Sequence, residues 1–199
     1  MKRFEVIYLT GPPAAGKTRL ITRLGKQFSN LKIFSYSQLL AQHIKSHRNQ
    51  LVSQKGLRKK SERLVTVDDI ATVDTLLVKA VTRARKSSHV IVDSHPVTKE
   101  DYGFRVTAFS VQLLRDLKPT RVCMLFASAK AVMKRIKAAP DGRPKISQFE
   151  ADFHCNTQAA VAVSYGVLAG VPVYFYDSSV NVDSAFDAIS GRIHLSGRR

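Results

Sequence analysis

The 199-residue chain predicts an α/β fold with a five-stranded parallel sheet flanked by helices. Three observations carry this expectation. Apolar runs of strand length alternate with stretches of helical spacing along the whole chain. Most of these runs are continuously apolar, as parallel strands covered on both faces require. The first run passes through a glycine-rich turn straight into an amphipathic helix.

The first strand is predicted over Phe4-Glu-Val-Ile-Tyr-Leu-Thr10, a β-branched and aromatic run. A helix follows over 18–28, with Leu20, Ile21, Leu24 and Phe28 on one face. Further strands are expected over 32–35, 89–93, 121–127 and 171–176, and helices over 36–47, 67–86, 104–117, 128–138, 148–169 and 181–191. Asp68 and Asp69 near the start of the 67–86 stretch, and Lys79, Arg83, Arg85 and Lys86 near its end, complement the helix dipole. There is no internal repeat and no linker, so one domain is expected over 1–199. The tail 190–199 is expected to fray.

The turn after the first strand reads Gly11-Pro12-Pro13-Ala14-Ala15-Gly16-Lys17-Thr18, the G-x-x-x-x-G-K-[ST] pattern of a phosphate-binding P-loop. Its glycines let backbone N–H groups curl around phosphate oxygens, and the helix N-terminus adds its positive dipole end. Lys17 is placed to reach the β- and γ-phosphates, the Thr18 hydroxyl to ligate Mg²⁺, and Arg19 follows in the first helical turn. The pattern in this strand–loop–helix setting predicts a P-loop NTPase fold that binds a nucleoside triphosphate.

Composition adds bounds. The formal net charge of +17 attracts polyanions, whether nucleotides, nucleic acid or anionic surfaces. Cys123 and Cys155 lie far apart without metal-ligand spacing, which fits a reducing compartment rather than a disulfide framework. No stretch approaches a membrane span. The N-terminal apolar run holds Glu5 and feeds into the phosphate loop, so it reads as a strand rather than a signal peptide, and a cytoplasmic protein is expected.

Phosphoryl transfer demands cations around the γ-phosphate and a carboxylate to organise Mg²⁺. Asp93 ends an apolar strand, where ligand sites of such sheets lie, and is the best candidate to hold Mg²⁺ or to accept a proton. His95 is a candidate contact to the acceptor or an exposed loop histidine. Residues 137–145 have the turn chemistry of a lid, with Arg143 inside it and Arg135 on the helix leading into it. Both arginines can neutralise transition-state charge; a solvated helix face is the plainer reading for Arg135. The basic segment 48–63 suits an acceptor-phosphate arm, a nucleic-acid contact or a solvated charge run, and it lacks aromatic residues for stacking. His43 and His47, four apart, are expected on an exposed helix face rather than on a metal.

Four stretches together carry a family resemblance: the loop 11–18, Val90-Ile-Val-Asp-Ser-His95, Met133-Lys-Arg-Ile136, and Ser164-Tyr-Gly-Val-Leu-Ala-Gly170. On them the chain resembles the archaeal-type adenylate kinases, small P-loop nucleoside monophosphate kinases. The resemblance runs over roughly residues 4–180 and implies reversible transfer of the ATP γ-phosphate to AMP with Mg²⁺. It places Lys17 and Thr18 on the donor phosphates, Asp93 on the metal, Arg135 on the lid-entry helix and Arg143 in a lid over about 137–147. It places Tyr36 beside the monophosphate site, within an acceptor-binding insertion over about 36–66, and it implies an oligomer, since such relatives often form trimers. Where the family has an arginine after the lid this chain reads Gln158-Ala-Ala160, and Arg58 and Arg63 are both open as the acceptor-phosphate ligand. The sequence therefore supports a monophosphate kinase first. A P-loop kinase or ATPase acting on or with nucleic acid comes second, and a nucleotide-binding switch third.

Overall fold

The computed structural model describes residues 4–48, 65–139 and 145–196. In chain order they form β1 (Val6–Thr10), α1 (Lys17–Gln27), β2 (Leu31–Ser35), α2 (Tyr36–Arg48), α3 (Val67–Ala84), β3 (His89–Asp93) and β4 (Val97–Glu100). They continue as β5 (Gly103–Val106), α4 (Val111–Leu117), β6 (Arg121–Phe126), α5 (Ala129–Ala138), α6 (Gln148–Ala169), β7 (Val173–Asp177) and α7 (Asp183–Ser196).

The five expected strands form one parallel sheet in the order β2-β3-β1-β6-β7. The central strand β1 pairs with β3 on one side (Leu9 opposite Asp93) and with β6 on the other (Thr10 opposite Met124). Alternate residues of its buried strands face opposite layers, the period of two that a pleated strand imposes. Ile7, Leu9, Ile91, Cys123 and Leu125 meet Leu20, Leu24 and Phe28 of α1 and its C-terminal edge, with Phe186 and Ile189 of α7. Val6, Tyr8, Val90, Val92, Val122 and Met124 meet Leu77 and Val81 of α3, Leu113, Leu114 and Leu117 of α4, and Tyr165 of α6. A third, smaller cluster (Ala127, Val132, Ile136, Ala151) packs α5 and the start of α6 beside Ala14 of the phosphate loop.

Three expectations are corrected. The stretch 104–117 is not one helix: β4 and β5 form an antiparallel hairpin, and α4 starts only after Ser110, whose hydroxyl accepts from Leu113 N at 3.1 Å. Gly103, at φ 140°, lets the hairpin turn where a side chain would be strained. The tail is helical through Ser196 rather than frayed from 190, because Ile189 and Ile193 bury against the α1 layer. His43 is buried, not exposed: its Nε2 lies 3.1 Å from Asp69 Oδ1, tying α2 to the start of α3, while His47 is exposed. Asp69 also closes a capping box with Thr66, which explains why α3 begins where it does. Both cysteines are free thiols. Among the described residues no helix is long and apolar enough to cross a membrane.

Candidate nucleotide site

The phosphate loop leaves β1 at its carboxyl end and returns as α1. Gly11 sits at φ 151°, and a Cβ there would lie 2.3 Å from the Leu125 carbonyl oxygen, a backbone atom that cannot step aside. Gly16 sits at φ 88° and caps α1 without a side-chain hydrogen bond, so the first N–H groups of the helix face outward. The first turn of α1 holds no acidic residue, which leaves its dipole end suited to an anion. Pro12 O accepts from Ala15 N at 3.2 Å and closes the turn.

Ala14 adopts φ 63°, an uncommon conformation for a residue with a side chain, and its surroundings hold it there. Arg135, from α5, donates to Ala14 O at 3.0 Å and to the carbonyls of Ser178 and Ser179 beyond β7. Ser178, buried, donates from Oγ to Ala15 O at 2.7 Å. The arginine expected in the lid is therefore a clamp on the loop backbone and on the segment after β7.

Lys17 folds back over its own loop, with Nζ donating to Gly11 O at 2.7 Å. Thr18 and Arg19 follow it, both exposed; Pro12 is buried and Pro13 half-buried. Asp93 ends β3 opposite Leu9 and Ser35, on the same edge of the sheet as the loop. Burial pushes its carboxyl pKa up, and the nearby Lys17 ammonium pulls it back down. Its Oδ1 is buried without a hydrogen-bond partner. An orphaned carboxylate oxygen near a lysine, on the sheet edge from which the Thr18-bearing helix starts, fits the hydrated, partly protein-held coordination that Mg²⁺ prefers. No group of three or more His, Cys, Asp or Glu side chains gathers among the described residues, so an all-protein metal cage is not built there.

Two groups that sequence reasoning missed complete the floor of the site. Gln158, fully buried on α6, donates from Nε2 to Thr10 Oγ1 at 2.8 Å, and its Oε1 is buried without a partner. His154, one turn earlier, lies 3.0 Å from Val97 O through Nε2 and stacks edge-on against Phe104. Burial, with the Lys17 charge as a smaller cause, pushes the His154 pKa down to about 4, so the ring is neutral at neutral pH. The signal for both was a pair of polar residues spaced i, i+4 within an otherwise apolar helical stripe that continues through Ala162, Tyr165 and Gly166.

The Ser164–Gly170 stretch is structural. Tyr165 OH accepts from Phe109 N at 2.5 Å, and its ring packs edge-on against Tyr8. A Cβ on Gly166 would lie 2.1 Å from Val173 Cγ2, so only glycine lets α6 approach β7 this closely. Gly170, at φ 65°, ends the helix in the left-handed conformation. This seating fixes Gln158 against Thr10 and His154 against Val97 of the β4–β5 hairpin, two to three turns earlier. Tyr36 opens α2 at the carboxyl edge of the sheet; its hydroxyl donates to Asp74 at 2.7 Å and its ring packs on Phe109. His95 is half-buried, two residues past Asp93. Arg58, Arg63 and Arg143, with most of the basic segment and the centre of the expected lid, lie outside the described residues.

No match is found among curated proteins. A family model described as an AAA domain matches residues 10–150, from the last residue of β1 through Asp93 and Arg135 into the first turn of α6. That match covers well over half of the chain and falls on a loop, sheet and carboxylate arranged to hold a nucleotide, so the protein belongs to this AAA domain family of P-loop NTPase-like kinases, which includes nucleotide kinases.

Proposed function

We propose that the protein is an ATP-dependent nucleoside monophosphate kinase whose favoured acceptor is AMP, giving ADP reversibly with Mg²⁺. The observation that carries the reading is that the phosphate loop with Lys17 and the carboxyl end of β3 with Asp93 share one edge of the sheet, near enough for the lysine charge to act on the carboxyl group. The loop amides and Lys17 hold the donor phosphates, and Thr18 and Asp93 would hold Mg²⁺, which would supply positive charge against the phosphates. Lys17 leaves Gly11 O to meet the γ-phosphate. An acceptor phosphate oxygen bonds to the γ-phosphorus as the bond to the bridging oxygen breaks, so two nucleoside diphosphates leave. Arg135 acts by holding the loop and the segment after β7 in register. Arg143 supplies the lid charge. Tyr36, His95 and one of Arg58 and Arg63 border the acceptor.

The test is product formation from Mg²⁺-ATP with each of AMP, GMP, CMP, UMP and dAMP, with Lys17→Ala as control. Lys17→Ala lowers turnover by about a hundredfold or more, because a preorganised charge at the transferred group is removed. Turnover near that of the parent protein in that variant rules out this loop as the reacting site.

One observation favours a different acceptor. α6 presents Gln158 and Ala159 where the family resemblance implies an arginine, and Ala159 packs half-buried into the core. A site one cation short suits an acceptor whose reacting group carries less charge than a nucleoside monophosphate, such as a hydroxyl of a nucleic acid. ATP turnover that responds to no monophosphate but rises with nucleic acid would favour this second reading.

A further inference from the structure

A groove of about 550 Å³ opens at the end of the sheet opposite the phosphate loop, between the start of β2, the approach to β3 and the last turns of α3. Lys32 of β2 and Lys79 and Arg83 of α3 line it, all three exposed. Its apolar floor comes from Phe34, and Ser87 and Ser88 add hydroxyls at one end. No carboxylate lines it. The acidic residues of α3 lie towards the other end of that helix, where Asp69 faces His43 and Asp74 accepts from Tyr36. Among the described residues none of the three cations makes an ion pair or side-chain hydrogen bond.

A helix C-terminus accounts for one or two cations as partners of its dipole. It does not account for Lys32, which comes from an edge strand and points its charge into the same groove. Three unpaired cations around an apolar floor hold a chain of anions better than a single one, and the overall charge of +17 draws polyanions from a distance. We propose that this groove binds the phosphate backbone of a single-stranded nucleic acid, with the cations and serine hydroxyls on phosphates and the apolar floor against sugar or base. The site is separate from the nucleotide site and does not depend on which acceptor that site uses.

The test is fluorescence anisotropy with mixed-sequence single-stranded RNA and DNA of about 20 nucleotides, titrated from about 50 to 200 mM KCl. The parent protein binds one or both, and log K falls linearly with log salt. The K32E/K79E/R83E variant loses at least about tenfold in affinity, and its salt slope flattens by about 2, since each phosphate contact on a single strand contributes about 0.7. ATP turnover of this variant stays at the parental level, which shows that it is folded. A K26E/K45E/K130E variant, with the same change in net charge at exposed positions elsewhere, keeps its affinity within a few-fold.

Absence of binding by the parent, or equal losses in both variants, overturns the proposal. So does poly-glutamate binding as tightly as RNA and DNA with the same sensitivity to K32E/K79E/R83E, because the groove would then take acidic chains in general.

Discussion

Asp93 is the residue at which stability and chemistry conflict. Its carboxyl is buried, so the ionised form is worse off in the folded chain than in the unfolded one, and Lys17 offsets only part of that cost. A carboxyl with a raised pKa contributes stability at low pH and loses it as pH rises through the folded value. Asp93→Asn is therefore expected to raise the thermal midpoint of the nucleotide-free protein at neutral pH, by roughly 2–4 °C for each kcal/mol relieved. It is expected to lower Mg²⁺-dependent turnover by about a hundredfold or more, since the carboxylate that organises the metal is gone. A variant that is both less stable and fully active would contradict the role assigned to this residue. His154 titrates with the opposite sign. Its pKa falls from an ordinary 6.5 to about 4, so between those values the unfolded chain binds a proton that the folded chain refuses. Stability accordingly falls as pH drops through that window, by about 3 kcal/mol at most. His154→Gln keeps a donor for Val97 O without the titration, so urea unfolding at about pH 7 and about pH 4.5 should show a flatter pH dependence than in the parent protein.

At the scale of elements, the close seating of α6 on β7 is what carries Gln158 to Thr10 at the start of the loop and His154 to the β4–β5 hairpin. Gly166→Ala places a methyl carbon 2.1 Å from Val173 Cγ2 and 3.1 Å from Val171 O. The expected cost is about 1–3 kcal/mol in denaturant unfolding, as for other overpacked contacts. Adding Val173→Ala removes the nearest clash and should restore part of that loss; a double variant no better than Gly166→Ala alone would show that the contact does not limit the approach. The helices were legible where caps and apolar faces agree, as in α6, whose predicted bounds 148–169 match and whose Ser147 and Glu150 form a capping box. The β4–β5 hairpin was not legible. Its strands carry Thr98, Lys99, Glu100 and Arg105, with too few apolar residues to mark a period of two. Phe104 and Phe109 also run on into the spacing of α4, which hides the break. The last helix was underread because Gly191 and the polar residues around it resemble a frayed end. Only packing against α1 shows that Ile193 is core.

For the whole molecule, the doubly wound order β2-β3-β1-β6-β7 brings the phosphate loop, Asp93 and Tyr36 to one edge although they are spread over more than eighty residues. That gathering was legible because each of them directly follows or ends a strand of recognisable composition. Arg135 was legible as a cation near the site but not as a clamp, since its partners are backbone carbonyls of Ala14, Ser178 and Ser179, which no side-chain pattern reveals. At the opposite end of the sheet Lys32, Lys79 and Arg83 make no ion pair among the described residues, and on the proposal above that end takes a polyanion while the loop end takes a nucleotide. The central claim is that the loop and Asp93 transfer a phosphoryl group to a nucleoside monophosphate. The most direct measurement is ADP formation from Mg²⁺-ATP and AMP by the parent protein and by Lys17→Ala. The expected result is AMP-dependent ADP accumulation that falls about a hundredfold or more in the variant. ATP that binds to the parent protein and yields no product with AMP or any other monophosphate would contradict it.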